Sequence, residues 1–448
     1  MAVYVVGGGL AGCEAAWQVA RKGIHVKLYE MKPARFSDAH TSEGLAELVC
    51  SNSFKASNLE NASGLLKEEM RVLGGLIVSC ADVSAVPAGG ALAVDRDAFS
   101  KKVTESIESN PNIEIIREEV SSVRSLISGH DDCECVIIAA GPLMSAPLSK
   151  EISEIFEAKR LHFFDAAAPV IMADSIDHSK VFRAARYGKG DADYINCPMR
   201  KDEYKAFYDA LINAERADVK DFDRLELYEG CMPVEEMAAR GEDTLRFGPL
   251  KPVGLRHPDT NEEYYAVVQL RQDDTSGSLY NMVGFQTRLK FGEQKRVFGM
   301  IPGLENAEYA RYGVMHKNSY IQSPELLDDT YRVQDDKNPL GVPVYFAGQI
   351  TGVEGYMEST SSGLVAGMNA AREMNGMEPL HFTRKTQIGA LSLYSSDYPG
   401  KDFQPMGANF GIMDTDIESV YGRVRDKRLK KKYVSEISLD ILRKMTEI

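Results

Sequence analysis

Hydrophobic and polar positions fall into blocks whose lengths alternate between strand-like and helix-like. Val3 to Val6 is an unbroken apolar run, the signature of a parallel strand buried on both faces. It leads directly into Gly7-Gly8-Gly9-Leu10-Ala11-Gly12. Ala11 to Arg21 then reads as a helix that Gly23 stops, and Ile24 to Tyr29 as a second strand ending at Glu30. Leu59 to Val72 has helical periodicity, and Gly89 to Val94 reads as a strand. Asp95 is placed to cap a helix that starts at Asp95-Arg96-Asp97-Ala98-Phe99. Ile113 to Ile116 and Val120 to Val123 read as short strands, and Cys135 to Ala140 as a buried one before Gly141-Pro142.

From about residue 165 to 334 the pattern changes. Aromatic, charged and turn residues mix, with paired strand signals at Tyr264 to Leu270 and Tyr280 to Phe285. Val344 to Ala347 then restores the buried-strand pattern. It enters a second glycine-rich junction, Gly348-Gln349-Ile350-Thr351-Gly352-Val353-Glu354-Gly355, followed by a small-residue helix from Ser359 to Glu373. Strands alternating with helices imply an α/β fold with a doubly wound parallel sheet. The expected organisation is a Rossmann-type domain in two parts, residues 1–165 and 335–448, interrupted by an inserted α+β domain over residues 166–334. Both glycine junctions then lie in one domain and face each other.

The first junction fits G-x-G-x-x-G in its full context of strand, turn, helix, strand and terminal acid. Gly7 permits the tight turn, Gly9 lets the backbone approach a pyrophosphate, and Gly12 lets helix and strand pack closely. The helix start offers free N–H groups and partial positive charge to phosphate. Glu30 is placed to accept hydrogen bonds from ribose hydroxyls. A fingerprint opening at residue 3 favours FAD over NAD. The second junction would aim a helix N-terminus at the flavin ring.

Composition narrows the class. The chain has 448 residues, more than one ordinary core, with 44% hydrophobic and 26% charged positions. No apolar run reaches the roughly 20 residues of a membrane span. The first strand begins at the N-terminus, so no signal peptide is expected and the expected compartment is the cytoplasm. A net charge of −14 argues against nonspecific nucleic-acid binding by the whole surface. It leaves room for local basic faces at Arg423 to Lys432 and, more loosely, at Arg288, Lys290, Lys295 and Arg296; each is either a solvated face or a phosphate site.

Seven cysteines occur without a C-x-x-C pair, which points to free thiols rather than disulfides or structural zinc. The eight histidines are scattered, and no metal site is expected. Cys133 and Cys135 share a face of one strand and read as packing, as do Cys13, Cys80 and Cys197. Two thiols have unusual neighbours. Cys50 precedes Ser51-Asn52-Ser53 with Lys55 five positions on, and Cys231 lies between Gly230 and Met232-Pro233, near an expected helix start.

At this point the chain resembles a known family, the folate- and FAD-dependent tRNA (uracil-54-C5-)-methyltransferases called TrmFO. The resemblance runs nearly end to end, through GGGLAGCEAAWQ at 7–18, ELVCSNSFKA at 47–56, PAGGALAVDRDAFS at 87–100, YINCPM at 194–199, YEGCMPVEEMA at 228–238, FGPLKPVGL at 247–255 and FAGQITGVEGYMESTSSGLVAG at 346–367. The glycine segments are shared with a wider relative, the MnmG family.

The resemblance implies transfer of a methylene group from methylenetetrahydrofolate to C5 of uridine 54 in the tRNA T-loop. Reduced FAD supplies electrons, and NADPH or NADH reduces the flavin. It implies Cys50 as the nucleophile that adds to uracil C6 and Cys231 as the base for the C5 proton, with the reverse assignment open. It carries flavin contacts to Gly7, Gly8, Gly9, Leu10, Ala11, Gly12 and Glu30, and to Gly348, Gln349, Thr351, Gly352 and Gly355. Asp95 and Arg96 are weaker flavin candidates, a structural cap being the other reading. The same chemistry on a ribosomal RNA uridine and an MnmG-like wobble-uridine modification are the alternatives. Against the latter, the chain ends at residue 448 without room for that family's long helical C-terminal domain.

Overall fold

A computed structural model describes residues 1–37, 39–157, 160–188, 191–217, 232–400 and 403–446. Five strands form a wholly parallel sheet: β1 (Ala2–Val6), β2 (Val26–Tyr29), β3 (Ile113–Ile116), β4 (Cys133–Ile138) and β5 (Val344–Phe346), in the order β5-β4-β1-β2-β3. All five residues of β1 are buried, as its continuous apolar run requires. Strands from both ends of the chain therefore share one sheet. The doubly wound α/β fold expected from the blocks is the fold observed.

Helix α1 (Leu10–Ala20) follows β1, and α2 (Tyr356–Met374) follows β5. The two helices cross at very short range. A Cβ on Gly363 would lie 2.2 Å from the Ala11 carbonyl oxygen, and one on Gly367 would lie 2.6 Å from that of Ala15. Only small residues at both faces allow this approach, which brings the two glycine junctions side by side.

A separate six-stranded antiparallel sheet is built from the middle of the chain. Its order is Phe182–Arg183, Ile195–Met199, Ala266–Gln272, Leu279–Met282, Val170–Met172 and Tyr309–Arg311. It has its own core, in which Tyr204, Phe207, Val268, Phe285, Val297 and Phe298 are buried. The chain leaves and returns through a two-stranded antiparallel ribbon of Arg160–Ala166 with Met315–Ile321.

Local differences from the sequence reading have physical causes. The expected strand Val120–Val123 is absent; Ser122 caps a short helix, Val123–Ser128, by accepting from the Ser125 N–H. Two valines separated by two serines do not distinguish a strand from a helix start. Leu76–Val83 is an unanticipated helix. Its N-cap is Gly75, and the cap is tertiary: the buried Glu14 carboxylate accepts the Leu76 and Ile77 N–H groups at 3.2 and 2.9 Å. Glu69 does the same for the helix Gln387–Ser396, accepting from Gln387 and Ile388 at 2.7 and 2.8 Å. Burial pushes the Glu69 carboxyl up to about 7. Asp95 caps the helix Arg96–Glu108 as expected, accepting from Asp97 and Ala98.

Gly363→Ala forces a methyl group into the Ala11 backbone, so it should destabilise the protein by about 1–3 kcal/mol. Gly292→Ala, where a Cβ would meet nothing within 4 Å, should be neutral or stabilising by up to about 1 kcal/mol. Thermal melts of the two variants beside the parent test this; equal melting temperatures would remove the helix crossing as a constraint.

Candidate functional site

The C-terminal ends of the parallel strands open into a cleft enclosing about 1150 Å3, part of it open to solvent. Such an edge is where open α/β sheets bind ligands. Its walls include Val6 to Ala11, Tyr29, Glu30, the Ala139–Ser145 loop, Gly348, Gln349 and Tyr356. The two glycine junctions meet here as expected. Gly12, Thr351, Gly352 and Gly355 stand behind the wall.

Each piece of the first junction fits a dinucleotide. Gly7 has φ +108°, a backbone region that side chains disfavour. A Cβ on Gly12 would lie 1.8 Å from the Gly7 oxygen. At Gly9 a Cβ would meet nothing within 4 Å, so the space a pyrophosphate needs is open. Helix α1 has no side-chain cap, which leaves its first-turn N–H groups to a ligand. Glu30 is only 6% exposed and lines the cleft. Its two oxygens accept one N–H each, from Lys32 and Gly8, both at 3.0 Å. A carboxylate has about four acceptor sites, so it retains capacity for ribose hydroxyls.

At the second junction the Gly348 N–H donates to Ser362 Oγ at 2.7 Å, and Thr351 Oγ1 donates to the Gly348 carbonyl at 2.8 Å. Gly352 packs on the Phe403 ring, and Gly355 abuts the Lys55–Glu358 ion pair. Helix α2 starts without a side-chain cap.

The loop after β2 carries Cys50 to the cleft's edge. Ala46 N–H donates to the Gly8 carbonyl at 2.9 Å, and Leu45 and Leu48 are buried beneath the loop. Glu47 lines the cleft and accepts from Thr41 and Ser42 N–H groups. Beyond it, three side chains fix the backbone around the thiol. Arg96 donates to the Leu48 carbonyl at 2.9 Å. Tyr356 Oη accepts both the Cys50 and Ser51 N–H groups, at 2.8 and 3.1 Å. Arg271 donates to Asn52 Oδ1 at 3.0 Å and Ser51 Oγ at 2.9 Å. Burial pushes the Arg271 guanidinium down and the Tyr356 phenol up. The Cys50 sulfur is 3.7 Å from the Ala166 carbonyl oxygen, so the thiol sits where the two sheets' territories meet.

Cys231, the second expected thiol, lies outside the described residues. The chain resumes at Met232, and its course there is firmly held. Val234 N–H donates to the Gln286 carbonyl at 2.7 Å, and buried Glu235 accepts from Thr287 Oγ1 and Arg288 N–H at 2.8 and 2.7 Å. Pro233 is the N-cap of the six-residue helix Val234–Ala239 rather than a first-turn residue.

The two basic stretches differ. Arg288 pairs with Glu236, Lys290 with Glu215 and Arg296 with Glu293. That neutralisation favours the solvated-face reading there. In the other stretch Arg428 pairs with Glu60 and Lys432 with Glu436, while Arg423, Arg425, Lys427, Lys430 and Lys431 are exposed and make no ion pair among the described residues. Among those residues no helix is long and apolar enough to cross a membrane, and no cluster of three or more potential metal ligands occurs.

Sequence reasoning missed Tyr356 and Arg271, and for Arg96 it offered a flavin contact or a structural cap but not a hold on the Leu48 carbonyl. Tyr356 is a lone tyrosine at a helix start, and Arg271 a charge directly after the expected strand Tyr264 to Leu270, which in the structure runs from Ala266 to Gln272. That second feature was a signal, because a buried charge needs partners.

With this geometry in view, known proteins give a consistent picture. The sequence profile of the glucose inhibited division protein A family, GIDA, matches residues 2–378. The methylenetetrahydrofolate–tRNA-(uracil-5-)-methyltransferase TrmFO of Acetivibrio thermocellus is 59% identical over 441 residues, 98% of each chain. The enzyme of the same name from Caldicellulosiruptor bescii is 54% identical over 445 residues, 99% of each chain. The chain belongs to the GIDA family and, within it, to the TrmFO methyltransferases. Aquifex aeolicus GidA superposes with a TM-score of 0.69 at 17% identity, covering all of this chain and 74% of that one, which supports the fold. The resemblance found in the motifs is thus the family found by comparison.

Cys13, Cys80, Cys133, Cys135 and Cys197 are buried, and burial raises each thiol, Cys133 to about 12. Brief iodoacetamide treatment of the native protein should therefore alkylate Cys50 and spare these five. Peptide mass spectrometry reads the result; equal labelling of Cys13 or Cys135 would contradict the packing described.

Proposed function

We propose that this protein methylates C5 of uridine 54 in the T-loop of tRNA, with methylenetetrahydrofolate as carbon donor. The observation that carries this reading is Cys50, held by Tyr356, Arg96 and Arg271 at the mouth of a dinucleotide cleft, in a chain of the TrmFO family. FAD is the cofactor whose pyrophosphate fits the α1 N-terminus and whose ribose fits Glu30. When bound, it supplies the electrons that convert a methylene group into a methyl group, and NADPH or NADH restores them. The organisation proposed with this function keeps the boundaries 1–165, 166–334 and 335–448.

The protein's own residues do the rest. Uracil C5 is a poor nucleophile until a thiolate adds at C6 and makes C5 enolate-like. Cys50 is the proposed nucleophile, and its fixed backbone gives the sulfur a defined approach. Cys231 is the proposed acceptor of the C5 proton, after which the sulfur leaves C6. Uridine 54 must leave its stack to reach the thiol. The exposed cations from Arg423 to Lys431 are the proposed contacts to surrounding phosphates, in the cytoplasm where tRNA is available.

Incubation with methylenetetrahydrofolate, NADPH and unmodified tRNA should yield 5-methyluridine at position 54. Its absence from flavin-loaded protein would defeat the reading. Cys50→Ala and Cys231→Ala should each abolish product while retaining the yellow flavin.

Joint replacement of Lys427, Lys430 and Lys431 by Gln should weaken tRNA binding and lower the log–log salt slope by about 1 per lost phosphate contact. Titrations at several salt concentrations check this, and an unchanged slope would remove the patch from the interface.

A further inference from the structure

The closest ring pair among the described residues lies at the surface. Tyr421 and Tyr433 stack with centroids 3.9 Å apart and planes 3° from parallel. Tyr433 is half-buried on the helix Lys427–Thr446 and packs on a small core that includes Leu65, Met413, Ile417 and Val434. Tyr421 ends the short helix Glu418–Tyr421 and lies outside that core, against the Tyr433 ring. Its hydroxyl donates to Glu436 at 3.3 Å. One face of Tyr421 is thus used, and the ring is held in place. The residue is still 41% exposed, and no second ring or cation stacks on it among the described residues. Its outer face is open.

The surroundings suit a base and its phosphates. Val420 precedes Tyr421, and Leu429 lies one turn before Tyr433 on the same helix face; both are exposed. Arg423 and Arg425 lie in the segment that joins Tyr421 to the long helix, and Lys427 and Lys430 in that helix's first turn. All four are exposed and make no ion pair among the described residues. The helix is tied to the chain that leaves Cys50. Ser435 Oγ donates to the Leu59 carbonyl at 2.6 Å, and Arg428 pairs with Glu60 at 2.6 Å. Leu59 follows Cys50 by nine residues, so the two lie no more than about 32 Å apart. One bound RNA can touch both.

We propose that the outer face of Tyr421 is a stacking platform for one unpaired nucleobase of the bound tRNA, with the cations around it on the flanking phosphates. This rests on the reading of tRNA as substrate. Every base has a π face and stacks on an aromatic ring whatever its identity, and RNA presents unstacked bases in its loops. A ring already fixed by its neighbour loses little freedom on binding. A protein partner fits less well, because the centres of protein interfaces are depleted of lysine, and here lysines and arginines surround a small apolar patch.

Tyr421→Leu keeps an apolar side chain on Tyr433 and removes the aromatic face. Its affinity for unmodified tRNA should fall about tenfold at every salt concentration. The log–log salt slope should stay as in the parent, because stacking releases no counterions. Tyr421→Phe should keep parental affinity. In Tyr421→Trp the added emission should be quenched as tRNA is titrated in; the parent, whose single tryptophan is Trp17, supplies the background. Parental affinity in Tyr421→Leu, a changed slope, or a loss matched by a lower melting temperature overturns the proposal. So does emission that responds to protein concentration and not to tRNA, which would make this face a contact between copies of the chain. Quenching and a tenfold loss in a protein that makes no 5-methyluridine would uphold the platform and defeat the methylation reading, so the two failures are distinct.

Discussion

The architecture depends on the close crossing of α1 and α2. Helices that follow different parallel strands need not touch at backbone range; here Gly363 and Gly367 remove the side chains that would hold them apart from Ala11 and Ala15. The contact joins segments about 350 positions apart in sequence. It sets two helix N-termini beside one cleft, and it makes the site a property of the whole chain. A cofactor resting on α1 is therefore bounded by Gly348 and Tyr356, which the chain supplies only after the middle segment has been threaded out and back through its ribbon.

A second layer of order comes from buried charges used as fasteners. Glu14 and Glu69 close the N-termini of helices remote in sequence, replacing the local caps those helices lack or supplementing them. Lys67, fully buried, donates to the Phe54 and Ser63 carbonyls and so pins the strand that follows Cys50. Such groups are expensive to bury and rigid once satisfied. Lys67, Arg96 and Arg271 together hold residues 48–54, which explains how an irregular loop, with no ladder of its own before Ser53, can present a thiol in a fixed place.

The parallel sheet and its fingerprint were legible because local pattern and tertiary role coincide there. An apolar tetrad, three spaced glycines and a terminal acid each have one physical use. The helix at Leu76–Val83 was not legible because its cap is Glu14, 62 residues away in the chain. Val120–Val123 misled because its two valines suit a short strand, while Ser122 between them suits a helix cap equally well. In the site, Cys50 stood out by its polar neighbours. Tyr356 did not, since its role is to accept two N–H groups from a loop 305 and 306 residues earlier, and no spacing encodes that. Gly363-x-x-x-Gly367 facing Ala11-x-x-x-Ala15 was visible as letters. What was missing was the knowledge that the two helices are neighbours.

The charge distribution follows from the same logic of commitment. A net charge of −14 is an average over residues in very different situations. Arg288, Lys290 and Arg296 look like a basic cluster in sequence, yet each is held by a carboxylate. Around the cleft, Arg96 and Arg271 are spent on backbone and side-chain oxygens. The C-terminal helix, Lys427–Thr446, is different. Its inner face is anchored through Ser435 to the Leu59 carbonyl and through Ser438 to Glu69, while its first turns point several cations outward. An acidic protein can bind a polyanion if its uncommitted cations are gathered on one face, because a phosphate responds to the local field within about 8–10 Å at physiological salt. The number that matters is the count of outward cations that no carboxylate holds among the described residues, and the fold decides that count by assigning partners to the rest.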